Sequence, residues 1–335
     1  MLGRFTAFYN YGRKHFNQKG LADSERPNLS SDLSGRVYVV TGSNSGIGKE
    51  VADHLFKRGA RVYMVCRSQE RAEDARKEIC ASHESRSPDD IRLVIADMSL
   101  NKGVSQAASE VAKQEQKVDG LVCNAGALLD KKVMTDEGVE LTFACHFLYG
   151  TYFLSKYMLP LLEKSDDPRI IVTTSGGMYN AKLHNFKELL HGPEKKFDGN
   201  LAYAKAKRAQ VSLVEEWAKT LGKVKIAAVH PGWTATPGVE KAYGPFIRWM
   251  LSPMRTPWEG AEGIAYLVST EGKNIESGQL YLDTLPQPRH LHKSTETPPE
   301  VTEQFMKDLM AYKPKDDVTS SSPKAVSQGE QVASQ

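Results

Sequence analysis

The alternation of short apolar runs with longer helical stretches constrains the fold of this chain more than any other feature. The runs are rich in Val and Ile, as in RVYVVTG (36–42), RVYMVCR (61–67) and RIIVTTSGG (169–177). Near-continuous apolar strands separated by helices are typical of a parallel sheet that is covered on both faces. We therefore predict an α/β fold with one doubly wound Rossmann-type domain at 36–290 and about seven parallel strands.

The predicted strands are 36–42, 61–67, 91–99, 118–126, 169–177, 225–233 and 278–283. The predicted helices are 47–60, 68–83, 103–116, about 139–164, a helix that carries Tyr203 and Lys207, and 259–269. Residues 291–312 form a C-terminal extension. Residues 313–335 contain no aromatic residue and no Leu, Ile or Met, so we predict a disordered tail.

Residues 1–35 are predicted to form an N-terminal arm, which begins MLGRFTAFYNYGRKHF. Its mixture of aromatic and basic residues does not form a signal-peptide core. The favoured interpretation is an arm packed against the body of the protein. The alternative is peripheral membrane contact through Leu2, Phe5, Phe8 and Tyr9.

Composition excludes several classes of protein. The net charge of +3 over 335 residues is small for a dedicated nucleic-acid binder. Windows of about 18 apolar residues, which a transmembrane helix requires, do not occur. The four cysteines fit neither a zinc template nor a Cys-x-x-Cys pair, which favours no metal and a reducing compartment. We expect a location on the cytoplasmic side, either soluble or peripherally bound to a membrane.

The segment TGSNSGIGK follows the first strand and opens the first helix of the domain. Its glycines allow a sharp turn and let a pyrophosphate approach the helix N-terminus, where amides and the helix dipole stabilise an anion. A plain strand-to-helix turn is the alternative. The candidate cofactor-binding residues here are Gly42, Ser43, Asn44, Ser45, Gly46, Ile47 and Gly48.

Arg67 stands at the end of the second strand, where NAD sites usually present Asp or Glu to the ribose. A guanidinium pairs well with a 2′-phosphate. We predict NADP(H) in preference to NAD(H), with a solvated Arg67 as the alternative.

The segment YAKAK places Tyr203 and Lys207 four residues apart, on one face of a helix. The pair alone does not distinguish an acid/base device from two ordinary surface residues. Its context adds three marks: Asp97 after the third strand, Asn124-Ala125-Gly126 after the fourth, and Ser175 after the fifth.

With these residues in this order after the glycine-rich turn, the chain resembles the short-chain dehydrogenase/reductase family. The resemblance covers nearly all of residues 36–285. TGSNSGIGKE, VCR and HPGW are similar to its retinol-dehydrogenase-like branch. The resemblance implies that Tyr203 is the general acid/base, that Lys207 lowers the pKa of Tyr203 and binds ribose, and that Ser175 holds the substrate oxygen. It further implies cofactor contacts from Asp97, Asn124, Ala125, Gly126, Pro231, Gly232 and Thr236.

One position departs from the family pattern. The family has an Asn in the long helix after the fourth strand, which kinks that helix and holds a relay water. ELTFACHFLYG places His146 there, with one extra residue before Gly150. His146 either takes part in a proton relay or is a buried structural histidine.

The substrate side is predicted at about 236–258, a lid that contains Tyr243, Phe246, Ile247, Trp249, Met250 and Met254. Such a wall favours an apolar alcohol or carbonyl substrate, although the same residues suit lid packing or a dimer surface. The insert at 180–200 is expected to rim the cleft. The predicted function is an NADP(H)-dependent oxidoreductase, and the alternative is a non-catalytic NADP(H)-binding module. A homodimer is implied by the resemblance alone.

The prediction from Arg67 is testable by direct binding. We expect a smaller dissociation constant for NADPH than for NADH, because only NADPH offers a 2′-phosphate to the guanidinium. Both dissociation constants are measured by adding the protein to NADPH or NADH and following the change in nicotinamide fluorescence. An NADH constant equal to or smaller than that of NADPH would show that Arg67 does not select the cofactor.

Overall fold

Seven parallel strands and one short antiparallel strand form the central sheet of the computed structural model, which describes residues 2–24, 26–194, 196–236, 239 and 251–315. The strand order is β3-β2-β1-β4-β5-β6-β7-β8, and only β8 runs antiparallel to its neighbour. The strands are β1 Val37–Thr41, β2 Arg61–Cys66, β3 Ile91–Ile95, β4 Gly120–Cys123, β5 Arg169–Thr173, β6 Lys225–His230, β7 Leu280–Leu282 and β8 Leu285–Pro286. The predicted parallel, doubly wound sheet is confirmed.

The helices connect these strands and flank the sheet. They are α1 Leu2–His15, α2 Gln18–Ala22, α3 Gly46–Lys57, α4 Gln69–Ser82, α5 Asn101–Gln114, α6 Leu141–Phe143, α7 Leu154–Leu162, α8 Phe186–His191, α9 Gly199–Trp217, α10 Pro257–Ser269 and α11 Pro299–Ala311. A π-helical segment, Ala144–Phe153, joins α6 to α7.

Two apolar cores lie on opposite faces of the sheet. Val37 and Val39 of β1 face a core built with α5, α7 and α9, whereas Tyr38 and Val40 face a core built with α3, α4 and α10. All five residues of β1 are buried, which explains why its sequence is apolar throughout rather than alternating.

The predicted strands are too long at their carboxyl ends. The run 118–126 yields only Gly120–Cys123, and the run 169–177 yields only Arg169–Thr173. The residues that follow each strand leave the hydrogen-bonded ladder: Asn124 turns back to β1, and Ser175 begins a 3₁₀ turn, Gly176–Asn180. This edge of the sheet is where α/β folds bind ligands.

The N-terminal arm lies against the body of the protein. Phe16, between α1 and α2, is fully buried, and α1 packs on the Gly176–Asn180 turn. Phe5 on the outer side of α1 remains 60% exposed. Within the described residues, every helix is too short or too polar to cross a bilayer.

The C-terminal extension also packs on the body. Phe305 of α11 contacts the rings of Phe147 and Phe186, and the Tyr312 hydroxyl lies 3.0 Å from that of Tyr149. Most of the predicted lid, 237–238 and 240–250, lies outside the described residues, as does the predicted tail from 316 onward.

Candidate active site

The turn between β1 and α3 forms a cradle for an anion. Gly42 and Gly46 have φ values of +67° and +54°, which favour glycine. A Cβ on Gly48 would lie 2.4 Å from the Gly42 carbonyl oxygen. The side chain of Ser45, the N-cap of α3, accepts no hydrogen bond from the first amides of this helix. Because α3 begins directly after β1, these amides lie at the carboxyl edge of the sheet, and such a helix N-terminus suits a pyrophosphate.

Asn124 fastens this turn to the end of β4. Its Nδ2 donates to the carbonyl oxygens of Thr41 (3.0 Å) and Gly42 (3.3 Å). The Thr41 hydroxyl oxygen accepts from the backbone amides of Asn124 and Ala125, both at 2.9 Å. Asn124 thus shapes the cleft through the backbone.

Among the other turn residues, Ser43 is fully buried and donates its hydroxyl to the Val40 carbonyl at 3.0 Å. Its hydroxyl is therefore engaged within the protein. Ser45 and Ile47 are partly buried beside it.

Two arginines follow β2 at the carboxyl edge of the sheet. Arg67 is 76% exposed, and its Nη1 lies 3.9 Å from Asp97 Oδ2. The other carboxylate oxygen of Asp97 accepts from the amide and the hydroxyl of Ser99 at 2.8 and 2.7 Å. Arg71, in the first turn of α4, lies 3.2 Å from the side-chain amide of Asn44. Arg71 was missed at the sequence level, although its position four residues after Arg67 was a usable signal.

Tyr203 and Lys207 lie on one face of α9, as predicted. Lys207 Nζ lies 5.5 Å from the centroid of the Tyr203 ring and donates to the Thr173 carbonyl at 2.7 Å. The lysine is only 3% exposed. Burial lowers the pKa of Lys207 to about 7, because the charged ammonium loses its hydration.

Ser175 joins this pair at the end of β5. It caps the Gly176–Asn180 turn, and its Oγ accepts from the Gly177 amide at 3.2 Å. A Cβ built on Gly177 would lie 3.6 Å from Ser175 Oγ and 3.8 Å from the Tyr203 ring. Both side chains therefore lie near Gly177. With Lys207 one turn along α9 from Tyr203, the structure brings the three predicted residues together.

His146 packs against the candidate catalytic tyrosine. The two rings are perpendicular, at 87°, with centroids 5.1 Å apart. His146 Nε2 lies 2.7 Å from the Ala127 oxygen and 3.1 Å from the Ala127 nitrogen. Burial, and then the charge of Lys207, holds the pKa of His146 well below its usual value, so the imidazole is neutral.

The π-helical segment contains both His146 and Gly150. The His146 carbonyl accepts from Thr151 Oγ1 at 2.6 Å and from Gln210 Nε2 at 2.7 Å. Such π-bulges often occur at functional sites. Nothing in the sequence indicated that Gln210 of α9 would bind the His146 carbonyl.

The segment after β6 closes the site from the other side. Gly232 has φ +75°, and a Cβ there would lie 2.4 Å from Arg255 Nε. The Pro231 carbonyl accepts from Thr234 Oγ1 at 2.8 Å, and Thr236 Oγ1 accepts from the Val239 amide at 3.3 Å. These residues follow the carboxyl end of β6.

The described residues bring together no group of three or more His, Cys, Asp or Glu side chains that could hold a metal ion. The four cysteines are free thiols, and burial raises the pKa of Cys123 and Cys145 to about 12. Cys123 and Cys145 are therefore protonated at neutral pH.

Known proteins resemble this chain in sequence. A family model described as short chain dehydrogenase matches residues 36–185. The chain is 36% identical over 296 residues to dehydrogenase/reductase SDR family member 12 of Bos taurus, covering 87% of this chain and 91% of that relative. It is 32% identical over 257 residues to retinol dehydrogenase 11 of Homo sapiens, covering 75% and 78%. The resemblance predicted from the sequence marks is confirmed.

Solved structures share the fold. A short-chain dehydrogenase from Shigella flexneri complexed with NADP superposes with a TM-score of 0.60 at 21% identity, covering 77% of this chain and 100% of that one. L-Sorbose reductase from Gluconobacter frateurii, complexed with NADPH and L-sorbose, gives a TM-score of 0.60 at 21% identity, covering 76% and 96%.

The cradle is sensitive to a single methyl group. We expect Gly48→Ala to weaken NADPH binding by about tenfold or more, because the new Cβ displaces the backbone of the anion turn. Gly35→Ala is the control, since it introduces a side chain at φ +76° with no atom within 4 Å. Equal NADPH affinities in both variants, measured by fluorescence titration, would contradict this role of Gly48.

Burial of Lys207 predicts a pH-dependent stability. The native lysine loses its proton above about pH 7, whereas the unfolded lysine keeps it to about pH 10.4. The unfolded state then binds more protons, so native stability rises with pH in this window. We therefore compare the free energy of unfolding of the wild type with that of Lys207→Met. The difference between them, wild type minus variant, should increase from pH 7 to pH 9 by up to about 1.4 kcal/mol per pH unit. A pH-independent difference in urea unfolding would contradict the lowered pKa.

Proposed function

The chain belongs to the short-chain dehydrogenase/reductase family of oxidoreductases, and we propose that it transfers hydride between NADP(H) and an apolar alcohol or carbonyl compound. The observation that carries the proposal is the meeting of Ser175, Tyr203 and the buried Lys207 at the carboxyl edge of the sheet. The anion cradle of α3 opens at the same edge.

The protein's own residues account for cofactor binding. The α3 amides and the glycine turn would hold the pyrophosphate, and Arg67 with Arg71 would hold the 2′-phosphate. Structures of this fold that bind NADP or NADPH support the same choice. The bound nicotinamide would supply or accept the hydride.

The proton is assigned to Tyr203. In reduction, its phenol gives a proton to the carbonyl oxygen as the hydride reaches the carbonyl carbon, so the product alcohol gains one proton and one hydride. A protonated Lys207 stabilises the phenolate that remains, because opposite charges attract strongly where water is excluded. In oxidation the same groups act in reverse.

Ser175 is assigned to the substrate oxygen. The Ser175 hydroxyl and the Tyr203 ring both lie beside Gly177, and the proposal is that a carbonyl oxygen bound there accepts hydrogen bonds from the two hydroxyls. Two donors would then stabilise the negative charge that develops on this oxygen.

An apolar substrate is favoured by the side chains beside Ser175. Met178, Tyr179 and Trp233 are buried around the turn and the end of β6. Retinol dehydrogenase 11 is a relative whose name specifies an apolar alcohol. The insert 180–200 continues from this turn, and its α8 lies beside α9.

The proposal is tested by NADPH oxidation with a panel of apolar aldehydes and ketones. We expect turnover in the wild type and a loss of at least about 100-fold in Tyr203→Phe, because the variant cannot donate the proton. Loss of reduced-nicotinamide absorbance is the measurement.

The matched control is Tyr266→Phe. It also removes a tyrosine hydroxyl, but from α10, which packs on the other face of the sheet. Turnover that survives in Tyr203→Phe would refute the assigned acid. Tight NADPH binding without turnover of any substrate would favour the non-catalytic module.

A further inference from the structure

We propose that the N-terminal arm is part of the active-site frame: residues 15–18 position the Ser175 turn and hold Trp233 and Arg255 against the body of the protein. This inference rests on the proposed function for its kinetic consequence. Its structural basis is a continuous set of contacts that lead from the arm to Ser175.

The first contact is made by Phe16. Its ring is fully buried and lies perpendicular to the His230 ring, at 89°, with centroids 4.3 Å apart. A Cβ built on Gly176 would lie 2.9 Å from Phe16 Cε2. The Phe16 ring therefore lies directly against the backbone of the residue that follows Ser175.

His230 carries the second contact. Its Nδ1 accepts a hydrogen bond from the Gly176 amide at 3.0 Å. Burial, and then the charge of Arg255, lowers the pKa of His230 to about 3, so the ring stays neutral and able to accept. Because Phe16 packs on this ring, the arm fixes the group that holds the Ser175 turn.

The arm also holds Trp233, which follows β6. The Trp233 amide donates to the Phe16 carbonyl at 2.6 Å. A Cβ on Gly12 would lie 2.4 Å from the Trp233 indole, so α1 packs closely against this side chain. Trp233 is 8% exposed as a result of these contacts.

Arg255 binds the arm at the same place. Its amide donates to the Trp233 carbonyl at 2.8 Å, which pairs these two residues with each other. The fully buried guanidinium forms a two-pronged ion pair with Asp283, at 2.6 and 3.0 Å, and donates to the His15 carbonyl at 3.0 Å. The Gln18 amide adds a bond to the Pro253 carbonyl at 3.1 Å.

These contacts separate two functions of the site. The arm touches the Ser175 turn and the residues after β6, whereas the anion cradle rests on Asn124 and Thr41. Loosening the arm should therefore impair substrate turnover more than cofactor binding. A shift of about 1 Å at a positioning residue is enough to cost about 100-fold in rate.

The first experiment compares Phe16→Ala with Phe56→Ala. Phe56 is equally buried but packs in the core on the opposite face, at the end of α3 far from the cradle. Both variants should lose similar stability. We expect kcat/KM for the carbonyl substrate to fall at least about tenfold in Phe16→Ala and less than about threefold in Phe56→Ala.

NADPH affinity should change less than about threefold in both variants, because the phosphate contacts are untouched. Phe16→Leu keeps most of the buried volume and should recover most of the lost kcat/KM, which a nonspecific loss of folding would not explain. It also serves as the test variant if Phe16→Ala does not fold.

The second measurement does not depend on turnover. Amide hydrogen exchange in the NADPH-bound protein should be at least about tenfold faster at 174–180 and 233–236 in Phe16→Ala, and unchanged there in Phe56→Ala. Equal exchange at these segments in the two variants would overturn the inference. A wild type that oxidises no substrate would refute the proposed function, while the exchange data would still decide the role of the arm.

Discussion

The buried amine of Lys207 is the interaction on which the site depends. Its Nζ donates to the Thr173 carbonyl, and the Lys207 carbonyl accepts from the Thr174 hydroxyl at 3.0 Å. These two bonds fix α9 to the end of β5, and they set the distance between Tyr203 and Ser175. Burying an ammonium is costly, and here the buried, titratable amine lies beside the partly exposed phenol of Tyr203.

The fold was predictable because its parallel strands are buried on both faces. Runs such as VYVVT and RVYMVC have no polar face, so burial alone identifies them. Their carboxyl ends were not predictable from the same pattern, because Asn124 turns back to bond with β1 and Ser175 begins a 3₁₀ turn. Strand β8 is only two residues long and has exposed side chains, so it carries no such pattern.

The candidate site was predictable where its residues follow strand ends or share a helix face. Ser175, Tyr203, Lys207 and the glycine turn meet as expected. Phe16, His230 and Arg255 were missed because their contacts join segments far apart in sequence, and a single Phe in an arm looks like any packing residue. The local sequence shows which residues are hydrophobic and how they are spaced. It does not show which distant part of the chain a buried aromatic ring contacts.

His146 is linked to several parts of the site at once. A Cβ on Gly126 would lie 2.0 Å from His146 Cε1, so the imidazole occupies space that only a glycine at 126 leaves open. His146 lies within the π-helical segment, and its carbonyl accepts hydrogen bonds from Thr151 and Gln210. Because burial and Lys207 keep this imidazole neutral, the positive charge beside Tyr203 comes from Lys207. His146 therefore orients the phenol by ring packing and leaves the electrostatics to the lysine.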